Sequence, residues 1–113
     1  MKVLCVGTTE FGRLMMAMIE AEKPRWEGIA TDDLAWALNT AKKNLDINTV
    51  MLDGTTMTEQ GIAIVKEIKS ILPKAQFVGF SKEIPSLGKL DGVGCDKVTS
   101  DLDPSIFRII IED

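Results

Sequence analysis

Residues 47–61, with the sequence INTVMLDGTTMTEQG, decide the fold of this chain. The first half is a short, mostly apolar run that ends in Asp53, and the second half leads through hydroxyl residues to Gly61 and an amphipathic segment. A short apolar run predicts a buried strand, and apolar residues spaced three and four apart predict a helix. The stretch therefore places an acidic side chain at the carboxyl end of a buried strand, where open α/β sheets carry their functional residues.

An apolar run followed by an amphipathic segment occurs five times along the chain, without a repeat or a linker. Strands are predicted at residues 2–6, 26–31, 48–53, 75–80 and 95–99. The predicted N-caps of the first, second, third and fifth helices are Thr8 or Thr9, Asp32, Thr58 and Asp103. A short fourth helix is predicted at residues 85–90, and the last helix is predicted from Ser105 to about Glu112. The residues predicted to face inward from the first helix are Phe11, Leu14, Met15, Met18 and Ala21.

Alternating strands and helices are the pattern of βα units, which build a parallel sheet with helices on both faces. Five units in 113 residues predict a single domain, residues 1–113, with a doubly wound (βα)5 α/β fold. This is a flavodoxin-like three-layer sandwich with strand order 2-1-3-4-5. In that order the loops after strands one, three, four and five converge, which brings together residues 7–8, Asp53, Ser81 and residues 99–101.

Composition limits the class of function. The 13 basic residues form no cluster and are outnumbered by 17 acidic ones, which argues against direct binding of nucleic acid or of an anionic membrane. The chain has no histidine, which excludes Ser-His and Cys-His catalytic units, and we expect it not to be an enzyme. Cys5 and Cys95 lack metal-ligand spacing and are predicted to be reduced, buried thiols. Without a bilayer-length apolar stretch or a charged leader, a cytoplasmic location is expected.

Over nearly its whole length the chain resembles the CheY-like receiver domains of bacterial response regulators. In that family the aspartate after the third strand is followed, at the eighth position, by a glycine that opens the third helix, and Asp53 and Gly61 keep this spacing. The family's Met-Pro pair is absent, because Thr56 and Met57 stand there. Ser81 fits the hydroxyl position at the end of the fourth strand. The resemblance implies that Asp53 is the phospho-acceptor position and Ser81 the switch hydroxyl.

The departures from the family pattern fall on the residues that the phosphoryl chemistry needs. Receivers end the first strand with two adjacent acidic residues that hold Mg²⁺, and here Gly7 and Thr8 stand in those places. The lysine after the fifth strand is replaced by Asp101, or by Ser100 if the alignment is anchored on the Asp103-Pro104 pair. Phosphoryl transfer depends on positioning and on cations that neutralise the phosphoryl oxygens. These losses predict poor acceptance of phosphate by Asp53.

Three functions stay open. The first is an atypical receiver, or pseudo-receiver, that acts without cofactors as a phosphorylation-independent interaction module in two-component-type signalling. Its partner would be a histidine kinase or a downstream signalling protein, and a homodimer is a further candidate. The second is a phospho-accepting receiver that binds Mg²⁺ through substitute ligands, with Glu10, Lys82 or Lys97 in place of the missing charges. The third is a small-ligand or nucleotide binder that uses the hydroxyl groups near the switch point. An output domain beyond residue 113 is compatible with each.

Two groups of residues are candidates for an interaction surface. Trp36 lies about opposite the apolar stripe of the second helix, so its indole has no evident place in the core. Receivers commonly dimerise or bind targets through the fourth helix, the fifth strand and the fifth helix. The resemblance therefore implies an interaction face at Leu87, Leu90, Lys97, Phe107 and Ile110. Covering the core is the default role of the apolar members.

Overall fold

The structure, a computed structural model, describes residues 1–110. Its strands are β1 (Lys2–Val6), β2 (Glu27–Thr31), β3 (Thr49–Asp53), β4 (Gln76–Phe80) and β5 (Lys97–Thr99). Its helices are α1 (Thr9–Glu22), α2 (Leu34–Lys43), α3 (Glu59–Ile71) and α4 (Ile84–Gly92), with short 3₁₀ helices at Gly54–Thr56 and Pro104–Arg108. All strands are parallel, in the order β2-β1-β3-β4-β5. The predicted doubly wound fold and its strand order are confirmed.

The sheet has an apolar core on each face. One core packs β1, β3 and β4 against α2, α3 and α4, and the other packs them against α1 and the C-terminal 3₁₀ helix. β3 is buried along its whole length, as expected for a central strand covered on both sides. No helix in the described part of the chain has the length and apolar character needed to cross a bilayer.

Side-chain caps fix where the helices begin. The Thr8 hydroxyl oxygen accepts a hydrogen bond from the Phe11 N–H at 3.1 Å and so starts α1. The cap of α2 is Asp33, not the predicted Asp32, because the Asp33 carboxylate accepts from the Trp36 N–H at 3.0 Å. Asp32 instead accepts a hydrogen bond from the Thr9 hydroxyl. In such a pair of adjacent acids, the loop geometry decides which one reaches the free N–H groups.

The inward face of α1 is rotated from the predicted one. It runs through Phe11, Met15, Met18 and Ile19, which are all buried. Leu14 lies on the flank of this stripe and is 42% exposed, and Ala21 is exposed as well. The prediction for these two residues is wrong because a stripe of apolar residues wider than the contact leaves its margin in solvent.

The predicted fifth α-helix is a 3₁₀ helix in the described residues, and the last part of the prediction, residues 111–112, lies outside them. The Ile106 N–H donates to the Asp103 carbonyl at 3.0 Å, and the Ile109 N–H donates to the Ile106 carbonyl. The β-branched isoleucines favour an α-helix only weakly, and burial of Ile106, Phe107 and Ile110 against α1 and the sheet outweighs helix propensity.

Gly61→Ala is expected to lower the free energy of unfolding by roughly 1–3 kcal/mol. A Cβ at position 61 would overlap the Thr56 carbonyl oxygen and lie 3.2 Å from the Thr58 hydroxyl oxygen, which explains why a glycine follows Asp53 at this distance. Gly88→Ala is the matched control, since a Cβ there meets nothing within 4 Å. That change should stabilise α4 by roughly 0.5–1 kcal/mol. Urea denaturation measures both, and equal effects would contradict the packing described for Gly61.

The two cysteines should be unreactive in the native protein. Both are free and buried, and burial raises the pKa of the Cys5 thiol to about 12 and that of Cys95 to about 11. We expect little labelling by Ellman's reagent near roughly pH 8 and full labelling of both thiols in denaturant, because the thiolate is the reactive form. Rapid labelling of native protein, located by peptide mapping to Cys5, would contradict the position of β1 in the core.

Candidate functional site

The candidate site lies at the carboxyl end of the sheet and is centred on Asp53. This residue ends β3, lies beside Phe80 of β4 and is 8% exposed. One carboxylate oxygen, Oδ2, faces the Thr8 backbone N–H and hydroxyl, both at 3.4 Å. The other, Oδ1, accepts from the Thr55 N–H at 3.3 Å. Donors from the loops after β1 and β3 therefore hold the carboxylate from two sides.

Gly7 packs directly against the Asp53 side chain. A Cβ at Gly7 would overlap the Cβ of Asp53 and would lie 3.1 Å from its Oδ2 and 2.8 Å from a ring carbon of Phe11. β1 and β3 are neighbours in the sheet, so the two residues meet where these strands end. The space that a side chain at position 7 needs is thus filled, and an acidic residue there would require Asp53 to move.

Ser81 joins the site from the end of β4. It is 6% exposed, and its hydroxyl oxygen accepts a hydrogen bond from the Glu83 N–H at 3.0 Å. Gly54, the residue after Asp53, lies against it: a Cβ there would come within 2.7 Å of the Ser81 Cβ and 2.9 Å of the Ser86 Cβ. The loop after β3 and the first turns of α4 are therefore in close contact beside Asp53.

Two cavities flank Asp53. The first has a volume of about 290 Å³ and is lined by Asp53, Thr55, Phe80, Ser81, Lys82, Glu83 and Ser86. The second, of about 380 Å³, is lined by Gly7, Thr8, Thr9, Asp32, Leu34, Thr55 and Thr56. Hydroxyl groups dominate the second cavity, and the first combines an ammonium with two carboxylates.

Lys82 is the cation that lines the Asp53 cavity. It is exposed and forms no ion pair with Asp53 or another carboxylate in residues 1–110.

The other charged residues considered from the sequence do not converge on Asp53. Asp101 is exposed, lines neither cavity, and its N–H donates to the Thr99 hydroxyl. Glu10 is exposed and lines neither cavity. In the sheet, Lys97 lies beside Val78, whereas Asp53 lies beside Phe80. Lys97 is therefore two residues away from the end of the strands at which Asp53 lies.

The residues around Asp53 do not fit the magnesium site that the resemblance implies. Mg²⁺ is usually held by one or two carboxylates together with waters in a strict octahedron. Within residues 1–110 no three Asp, Glu, Cys or His side chains are grouped so that they could hold a metal ion. Asp53 has Gly7 and Thr8 for neighbours where a second and third carboxylate would stand, and its own oxygens already face N–H and hydroxyl donors.

Some of the predicted interaction residues are exposed and others are buried. Trp36 is 48% exposed, Lys97 is exposed and Leu87 is half-buried. The prediction is wrong for Leu90, Phe107 and Ile110, which are buried in the core. Leu90 fits against Gly79 of β4, which has no side chain to hold α4 away from the sheet, and the Phe107 ring packs edge-to-face on Trp26 at 5.5 Å between centroids.

Sequence reasoning missed three residues. Ser86 reaches the Asp53 cavity from α4, and Gly54 permits that approach. Gly54 had a signal, since a glycine directly after the acidic residue favours close packing at that point. Ile84, the first residue of α4, is 82% exposed and had no signal apart from its place before Pro85.

Comparisons with known proteins bear on the fold. The chain superposes on the chemotaxis protein CheY4 of Vibrio cholerae with a TM-score of 0.75 and 18% identity, over 95% of this chain and 92% of that one. A pilus assembly-related protein of Burkholderia pseudomallei gives a TM-score of 0.77 and 12% identity, over 95% of this chain and 83% of the other. A response regulator of the same organism, with a phosphorylated aspartic acid, superposes with a TM-score of 0.69 and 12% identity, over 96% of this chain and 69% of the other.

No protein-family model and no curated protein matches the sequence. The likeness therefore lies in three-dimensional structure, at identities where only the fold can be read from it. The order of five parallel strands and the placement of the helices agree with those neighbours over nearly all of the chain. The chain has the fold of the CheY-like receiver domains.

Proposed function

We propose that this chain is an atypical receiver module of two-component-type signalling that binds protein partners without depending on phosphorylation of Asp53. The packing of Gly7 on Asp53 carries this proposal. It fills the place of the first acidic side chain, so the metal that neutralises the phosphoryl group has no second ligand there. The function then rests on the surface that the fold presents.

Electrostatics argues against efficient phosphoryl transfer at this site. A carboxylate and a phosphoryl donor are both anionic, and each uncompensated pair of unit charges about 4 Å apart costs roughly 1–4 kcal/mol at a protein surface. The cavity offers Lys82, but Glu83 lines the same cavity. Asp101, or Ser100 in the other alignment, stands where the family has its lysine, so this position supplies no positive charge. Such a site lacks the preorganised positive charge on which the reaction depends.

The exposed apolar residues support a role in binding proteins. Trp36 on α2 is 48% exposed and Ile84 on α4 is 82% exposed. Large aromatic side chains at interfaces supply much of the contact energy of protein complexes. The structural neighbours include both a chemotaxis protein and a protein described as pilus assembly-related, so this fold occurs in proteins described in different terms.

A phospho-accepting receiver is the second candidate. One observation favours it: Asp53, Ser81 and Lys82 line one cavity, which brings an acceptor, a hydroxyl and a cation together. In this case Lys82 would supply the charge of the missing lysine. A neighbouring structure, at 12% identity, is a response regulator that carries a phosphorylated aspartic acid.

Incubation with phosphoramidate and Mg²⁺ distinguishes the two candidates. We expect no phosphoryl adduct by intact mass spectrometry, under conditions in which a magnesium-dependent receiver is phosphorylated in parallel. An adduct that is lost in Asp53→Asn would overturn the proposal. Its further loss in Lys82→Ala, but not in Lys97→Ala, would establish the second candidate, because only Lys82 lines the Asp53 cavity.

Two aspartate substitutions test whether the residues beside Asp53 prevent Mg²⁺ binding. Thr8→Asp should fold, since position 8 is exposed and aspartate is a good N-cap, and it adds a carboxylate beside Asp53. We expect Mg²⁺ to raise the Tm of this variant by roughly 5 °C at about ten times its dissociation constant, with no effect on the parent chain.

Gly7→Asp, in contrast, should lower the free energy of unfolding by roughly 1–3 kcal/mol, because its side chain overlaps Asp53. Thermal unfolding of the three proteins with and without Mg²⁺ makes the comparison. A Mg²⁺-dependent Tm in the parent chain would contradict the conclusion that the residues around Asp53 do not fit a magnesium site.

A further inference from the structure

A groove of about 560 Å³ lies between α1 and the outer edge of the sheet. Its wall on α1 consists of Gly12, Arg13, Met16, Ala17 and Glu20, and β2 contributes Ala30 and Thr31. The side chains of Gly28 and Ala30 on this face of β2 are absent or small, and Ala30 packs closely on Gly12. The groove is therefore open at the sheet edge, on the flank of the domain.

The edge itself has unpaired backbone groups. β2 pairs only with β1. The Glu27 N–H donates to the Met1 carbonyl, and the Thr31 carbonyl accepts from the Gly7 N–H. Because backbone direction alternates along a strand, Glu27, Ile29 and Thr31 bond to β1, whereas Gly28 and Ala30 direct their N–H and C=O groups outward. β2 has no lysine or proline, which commonly protect such an edge from pairing.

The groove side of α1 carries an ordered charge pattern. Arg13, Met16, Ala17 and Glu20 are spaced by three, four and seven residues and so form one stripe along the helix. Arg13 and Glu20 are separated by about 10.5 Å of helix, too far to pair with each other. Both are exposed, and neither forms an ion pair with another residue in the range 1–110. The stripe is basic at one end, apolar in the middle and acidic at the other end.

Such a stripe is complementary to itself when it is turned by 180°. About a two-fold axis between Met16 and Ala17, Arg13 of one copy faces Glu20 of the other, and this ion pair occurs twice. Met16 packs over Gly28 of its own copy, so the exposed Ala17 side chains form the apolar middle of this contact. A closed two-fold interface requires a surface patch that complements itself in this way.

We propose that the groove binds a second copy of this chain, giving a two-fold dimer in which the α1 stripes lie antiparallel and each β2 edge faces the other copy. Ala17, small and exposed at the centre of the stripe, allows the helix axes to approach to about 8–10 Å, the usual packing distance. The interface is small, so the dissociation constant should be in roughly the micromolar range. The groove shares Thr8, Thr9 and Asp32 with the second cavity beside Asp53, but Asp53 itself does not line it. The dimer does not depend on phosphorylation.

Charge exchange across the axis tests the dimer. Sedimentation equilibrium of the whole chain, from about 1 µM to about 1 mM, should show monomers and dimers. Arg13→Glu and Glu20→Arg should each raise the dissociation constant about tenfold or more, since each replaces two ion pairs by two like-charge contacts. The double variant R13E/E20R should bind like the parent chain. Glu22→Arg, at an exposed α1 position outside the groove, is the control and should have no effect.

An equimolar mixture of the two single variants gives the sharpest result. A heterodimer of Arg13→Glu with Glu20→Arg restores both opposite-charge contacts, so the mixture should associate where each variant alone does not. Hydrogen exchange provides a reading without substitutions: the N–H groups of Gly28 and Ala30 should become protected as concentration rises. The proposal would be overturned if the chain were monomeric up to about 1 mM, or if the dissociation constant of the dimer were unchanged by these charge substitutions. Neither result bears on the phosphorylation experiment.

Discussion

The contact between Gly7 and Asp53 is the constraint on which the functional end of the molecule depends. Parallel pairing of β1 with β3 brings the two strand ends side by side, and the absence of a side chain at Gly7 lets the Asp53 carboxylate lie against the backbone. Thr8 can then reach Oδ2 with both its N–H and its hydroxyl. A receiver-like sheet with bulk at position 7 would have to hold its aspartate elsewhere.

Hydrogen bonds satisfy the Asp53 carboxylate in this structure. A carboxylate that is only 8% exposed requires partners, because burying an unpaired charge is costly. Donors from Thr8 and Thr55 meet that requirement. Asp53 thereby ties the loop after β1 to the 3₁₀ turn after β3. The Asp53 carboxylate therefore holds these two loops together.

The sequence predicts what depends on periodicity and misses what depends on packing. Alternating apolar runs and amphipathic segments predict the βα units and, through them, the doubly wound fold with its strand order. Thr58 and Gly61 locate the start of α3, because N-caps and glycines are local signals. Leu90 and Phe107 could not be placed from the sequence, since their burial depends on Gly79 and Trp26, which lie on other elements.

The same division applies to the candidate site. Gly7, Thr8, Asp53 and Ser81 come together as the strand order requires, because each follows the carboxyl end of a strand. Ser86 enters the cavity from a helix, and no spacing in the sequence predicts that contact. The sequence shows that the acidic pair is absent. Only the structure shows that the Asp53 side chain occupies the space that an acidic side chain at position 7 would need.

The Asp53 site and the groove beside β2 are linked through α1. Thr8 caps α1 and also contacts Asp53, so the position of the helix N-terminus is tied to the end of β3. Gly12, one turn further, rests against Ala30 and sets the distance between α1 and β2. A helix held at these two points presents Arg13 and Glu20 at a fixed orientation to solvent. Hydrogen bonds that hold Asp53 in place therefore also orient the surface through which this module would meet another molecule.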